Sequence, residues 1–183
     1  MPSPVGHTLG AFAALVALEP RIVASRYKTT IALGASFVFG SLADADFVVA
    51  HFTSLPYLRH HYFSHSIPFA ICFTVLFWIL VKCFRLRNAG RLAGLIGVAY
   101  STHLLLDYFA DDGSRPYGIP LLWPFINKHF IAPFDLFYSI HRWEFSDIFS
   151  MHNLVGVMIE IAVLAPIALL MILRAQHQLN TER

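Results

Sequence analysis

Three histidines, His60, His61 and His65, lie in the stretch from Arg59 to Ser66, immediately ahead of a long apolar run. Asp44 and Asp46 precede this stretch, and His103 with Asp107 follows it inside another apolar segment. Imidazole and carboxylate donors together suit zinc, manganese or iron, and no thiolate accompanies them. On a helix, residues four apart share a face, so His103 and Asp107 point together from a segment otherwise built of Leu, Ala, Val and Tyr. Ionisable groups within a membrane segment are costly and mark function by default, although these two would also serve as a packing pair that satisfies only itself. Asp44 and Asp46 share a side only where the backbone is extended or turning. Their repulsion is relieved by a divalent cation, or by water if they merely start a loop. His61 and His65 share a helical face, whereas His60 and His65 converge only through a turn. Three separate segments thus offer donors, and the expectation is that they meet around a metal.

The elements that must position these donors are membrane-like. The chain of 183 residues is 57% hydrophobic and 13% charged, far from the roughly 25% charged residues of soluble domains. Its mean hydropathy is +0.61. The expected fold is an all-α polytopic membrane bundle in a single domain, 1–183. It would have about five spans near 5–24, 29–49, 67–84, 92–109 and 154–173, because a hydrocarbon core of about 30 Å needs about 20 helical residues. Glu19 and Pro20 leave open whether the first span is complete or re-entrant. The segment before it has no Lys or Arg, so it lacks the charged region of a cleavable signal peptide and is read as part of the folded protein. Small residues from Ala32 to Ser41 would let a neighbouring helix approach the second span closely. Cys72 and Cys83 share one run, roughly 16 Å apart along a helix, too far to bridge.

Basic residues concentrate in cytoplasmic loops. Arg21, Arg26, Lys28, Lys82, Arg85, Arg87, Arg91, Arg174 and Arg183 fall on one side of a five-span arrangement. The N-terminus is then outside and the C-terminus cytoplasmic, and every aspartate and every histidine but His177 lies at or near the outer face. The 110–152 region carries many aromatics, which suit the headgroup layer. It is expected to form short interfacial helices divided by Pro116, Pro120, Pro124 and Pro133. A net charge of +2 without a basic cluster excludes a nucleic-acid partner.

Taken together the motifs resemble the YdjM-like, LexA-regulated family of inner-membrane proteins described as metal-dependent hydrolases. That family's pattern is an early His, then Pro-Asp-Ile-Asp, then His-Arg-x-x-Thr-His-Ser, then His-Leu-Leu-Leu-Asp followed by a Gly and a Pro-Phe. The chain carries His7; Asp44 and Asp46 behind Ala43; His60 to Ser66; His103 to Asp107; Gly113 or Gly118; and Pro124-Phe125. Ala43 replaces the proline, His61 the arginine and Ser64 the threonine, and Asp111-Asp112 is more acidic than usual. The family register favours His60 over His61.

The resemblance implies a bacterial inner-membrane hydrolase whose site is formed by Asp44, Asp46, His60, His65, His103 and Asp107. His7 would be a further ligand or a residue that orients one. So many donors exceed one tetrahedral zinc with an open position, so either two metals bind or some donors orient others. Zinc is the first choice of metal, with manganese or iron as alternatives. Asp111, His61 and Glu160 are the candidates for the base that takes a proton from metal-activated water. Glu160 lies roughly 10 Å into the last span, where it would either hydrogen-bond a site histidine or pack as a neutral acid. Membrane lipid is the expected surrounding, and a lipid-linked ester or phosphoester the expected substrate. Two rival readings are a transporter in which His103, Asp107 and Glu160 line an ion path, and a structural protein whose metal only clamps the helices.

Overall fold

A computed structural model describes residues 1–46, 62–113, 117–141 and 149–182 of the chain. Among the described residues its architecture follows from five long α-helices and the residues that start and stop them. α1 is Pro4–Leu18, with the Ser3 hydroxyl accepting the Val5 and Gly6 amides and Pro4 in the first turn, where no intrahelical donor is lost. Pro20 cannot continue it, and Pro20–Ala24 forms a tight 3-10 turn. The expected continuous span 5–24 is therefore a shorter helix and a turn. α2, Arg26–Gly40, starts behind the Ser25 cap and stops at Gly40-Ser41. The expected run through Asp44 is broken there, and Leu42–Asp44 is a 3-10 turn; residues 47–49 lie outside the described residues.

α3, Ile67–Cys83, is capped by Ser66 and covers all but the last residue of the run 67–84. A tight reversal with Arg85 and Asn88 in left-handed conformation leads into α4, Ala89–Tyr108, three residues earlier than the apolar run suggested. α5, Met151–Thr181, is 31 residues long and extends past 154–173 at both ends, because polar residues beyond the apolar run continue the helix with no breaker to stop them.

α1 lies at the centre, packed against α5, α2 and α4, and α3 packs on α4. The small-residue face of α2 is the packed one: Ala32, Ser36 and Gly40 are buried at four-residue spacing. A β-carbon on Gly40 would lie 2.9 Å from the His7 carbonyl oxygen and from Ala11 Cβ, so glycine permits this crossing. Of the described helices, α5 alone is long and apolar enough to cross a membrane, while α1 and α3 are apolar but shorter. The expectation of five full spans is narrowed accordingly, since a 15-residue helix such as α1 or α2 rises only about 22 Å.

The region 110–152 departs from expectation. Among its described residues before α5 no α-helix forms; turns and two isolated bridges, Ala110 with Phe137 and Ile119 with Phe130, hold the chain instead. Pro120, Pro124 and Pro133, which were expected to divide helices, prevent them, each removing an amide donor, and Pro116 lies outside the described residues. Cys72 and Cys83 are unbridged.

Candidate metal centre

The first turn of α1, the turn after α2, the turn before α3 and the last turns of α4 all meet at one end of the bundle, and each brings a donor. His65 and Ser64 lie on a 3-10 turn, Phe63–His65, with both side chains buried. The turn is pinned by Tyr100 of α4, whose hydroxyl donates to the Ser64 carbonyl at 2.6 Å. His103 and Asp107 share one face of α4, and His7, His65 and His103 are fully buried.

Hydrogen bonding fixes how the two central imidazoles are oriented. His103 Nδ1 is 2.8 Å from the Gly40 carbonyl, which only accepts, so Nδ1 carries the proton. His65 Nδ1 is 3.2 Å from Asp46 Oδ2 and 3.0 Å from Ser64 Oγ. The Ser64 hydroxyl spends its own proton on Asp46 at 2.6 Å, so His65 Nδ1 is also the donor. Both rings in their neutral form then turn bare Nε2 atoms toward each other, 3.2 Å apart. Two nitrogen lone pairs at that distance repel unless a proton or a cation stands between them.

Carboxylates complete the arrangement. Asp107 Oδ2 is 3.2 Å from His103 Nε2 and 3.4 Å from His65 Nε2. Asp44 Oδ1 is 3.5 Å and 3.7 Å from the same two atoms. Ligands held tetrahedrally at the 2.0–2.1 Å typical of zinc stand about 3.3–3.4 Å from one another. The five separations, from 3.2 to 3.7 Å, bracket that edge, so the residues fit a divalent ion. His7 stacks on His103 with ring centroids 3.7 Å apart, and its Nε2 is 3.5 Å from the other carboxylate oxygen of Asp107. Two overlapping donor groups result, Asp44 with His65 and His103, and His7 with His103 and Asp107.

The electrostatics run in the same direction. Burial opposes ionisation of Asp44, yet charge on His103 and hydrogen bonds from His103 and His65 outweigh it and hold the carboxyl well below its usual range. Burial likewise opposes charge on His65, but hydrogen bonds to Asp44 and Asp46 prevail and its value is raised. The pocket thus favours a positive charge at its centre. Asp44, with 13% of its side chain exposed against 0–1% for His65, His103 and Asp107, forms its most open edge.

Of the expected site residues, the structure brings together His7, Asp44, Asp46, His65, His103 and Asp107, with Asp46 against the outer nitrogen of His65. His60 and His61 lie outside the described residues. Of the candidate bases, Asp111 is exposed with its Oδ2 3.5 Å from Ser139 Oγ. Glu160 is buried and accepts hydrogen bonds from the N-terminal turn of α1. The Gly40 carbonyl has no sequence signal, being backbone. The role of Ser64 was visible only as a polar residue inside a motif.

The family model described as YdjM inner membrane protein matches residues 1–179. No curated protein and no solved structure matches the chain.

Proposed function

The chain belongs to the YdjM inner membrane protein family, and from that premise we propose that it is a membrane-bound metal-dependent hydrolase acting on a lipid-linked ester or phosphoester. The observation that carries this reading is the convergence of His65 Nε2, His103 Nε2, Asp107 Oδ2 and Asp44 Oδ1 at spacings that suit a divalent ion, zinc before manganese or iron. Such an ion supplies a Lewis acid that lowers the pKa of bound water. Asp46 orients His65, the Gly40 carbonyl orients His103, and His7 supports the second oxygen of Asp107. Asp44, the most exposed of the four donors, stands at the edge through which water would enter.

The cluster faces outward, with the N-terminus outside and the C-terminus cytoplasmic. Supporting this, basic residues gather at the opposite end, where Arg91 pairs with Glu19 and Arg21 with Glu182. A lipid-linked substrate is favoured by an apolar groove of about 560 Å3 between α3 and α4. The groove runs on the neighbouring face of α4. Its rim includes Ile67 and Leu104, within two positions of His65 and His103 in the chain.

A second reading has its own support: four protein donors at tetrahedral spacing describe a closed site, which is the pattern of a structural metal. One experiment separates the two. The purified protein is analysed for metal, stripped by a chelator, and assayed for folding and for hydrolysis of a lipid-linked ester series. Stoichiometric metal, loss of hydrolysis on stripping and recovery on reloading support the hydrolase. Stoichiometric metal with no hydrolysis by the loaded protein favours the clamp. Absence of metal, or metal that survives His65→Ala and Asp107→Ala together, defeats both.

A further inference from the structure

Glu160 is a fully buried carboxylate in α5, and it takes no part in the cluster described above. Its partners all belong to the N-terminal turn of α1. Oε1 accepts the Ser3 amide at 2.6 Å; Oε2 accepts the Gly6 amide at 3.1 Å and the Ser3 hydroxyl. The first amides of any helix lack intrahelical acceptors. Here the Ser3 hydroxyl accepts the Val5 and Gly6 amides, and Glu160 adds acceptors for the Ser3 and Gly6 amides at a point where Ser3 is only 4% exposed. A negative charge at that end also complements the helix dipole. The fit is close: a β-carbon on Gly6 would come within 2.7 Å of Glu160 Oε2.

The residue immediately after Gly6 is His7. Its own amide bonds the Ser3 carbonyl at 3.1 Å, so its backbone is tied to the residue that Glu160 holds through two hydrogen bonds. Its ring then reaches the face of His103 and the outer oxygen of Asp107. Glu160 thus ties the start of α1 to α5 beside the apolar packing of Phe12, Ala13 and Val16 on Ala168 and Ala175, and His7 is the residue next to the amide it holds.

We propose that Glu160 is a positioning residue of the metal centre, acting through His7: a carboxylate on one helix that fixes the start of another and so places an imidazole against Asp107. The inference rests on the metal-site reading above.

The test is a double-substitution cycle on metal affinity, measured by competition with a chromophoric zinc chelator in detergent, with helicity and monodispersity as folding controls. Glu160→Gln keeps the volume but replaces one acceptor oxygen by an amide donor facing other donors. Its metal affinity is expected to fall about tenfold or more, the usual effect of losing an outer partner. His7→Ala should fall similarly, and His7→Ala with Glu160→Gln should fall no further than His7→Ala alone. A merely structural carboxylate would lower affinity in both backgrounds alike. Should Glu160→Gln fail to fold, Ser3→Ala, which removes only the hydroxyl link, carries the same cycle. Unchanged affinity in Glu160→Gln, no effect of His7→Ala, or additive losses would overturn the inference while leaving the metal site intact. A wild-type protein that binds no divalent ion would overturn both.

Discussion

Asp46 stands behind His65, its Oδ2 3.2 Å from Nδ1, while the opposite nitrogen of the same ring faces His103. The carboxylate therefore fixes the tautomer and direction of the imidazole without pointing at the convergence itself, the arrangement by which many proteins tune a metal-binding histidine. The Ser64 hydroxyl holds Asp46 in turn, and Tyr100 holds the Ser64 backbone, so one imidazole is braced through three residues.

Asp46→Asn should accordingly weaken metal binding by about 10- to 100-fold without abolishing it, and leave the helical content unchanged. Asp107→Asn, which removes an oxygen facing both imidazoles, should weaken it further. Metal titration of the two variants side by side checks this. If Asp46→Asn loses metal as completely as Asp107→Asn, Asp46 is itself a ligand and the bracing role is wrong.

Metal binding should strengthen as pH rises through neutrality. His65 has a value raised above its ordinary 6.5 because hydrogen bonds to Asp44 and Asp46 outweigh burial. The stability contributed by its protonated form in the metal-free protein is fully present below the unfolded value and lost as pH rises through the raised folded value. A divalent ion needs the neutral ring, so proton and metal compete over that same window. Thermal melts with and without zinc should show a metal-induced stabilisation that grows from about pH 6 upward. A stabilisation that is flat or shrinks with pH would contradict the assignment of His65.

Gly94 borders the apolar groove, and a β-carbon there would meet nothing within 4 Å. Gly94→Leu should therefore be accepted by the fold, and leucine is the better helix former. Its side chain would occupy the space offered to an acyl chain. Hydrolysis of long-chain esters should fall, whereas that of short, water-soluble esters and the metal content should not. Equal rates on long-chain substrates in both proteins would remove the groove from the substrate path.

Much of the site was legible in the chain itself. The apolar runs announced helices, because burying or embedding them is the only favourable outcome for so much apolar surface. The i, i+4 spacing of His103 and Asp107 fixed one wall of the centre, since helix geometry alone puts them on one face. Serine caps α1, α2, α3 and α5, and the apolar runs alone placed the starts of α2 and α5 three residues late. Helix ends were less legible. α2 stops at Gly40, where α1 approaches so closely that a β-carbon would meet the His7 carbonyl, a contact between residues 33 positions apart. The aromatic stretch after α4 pointed to interfacial helices, and prolines with long-range backbone pairing decided otherwise.

Sequence by itself determined the donor types and the helical face shared by His103 and Asp107, because these follow from local spacing and composition. Tertiary structure alone decided which nitrogen of each histidine faces inward, that Asp46 braces His65, that the Gly40 carbonyl aims His103, and that Glu160 holds the start of α1. Each of these is a hydrogen bond between separate elements, one of them from a backbone carbonyl that no side chain advertises. Their geometry exists only once the helices have packed.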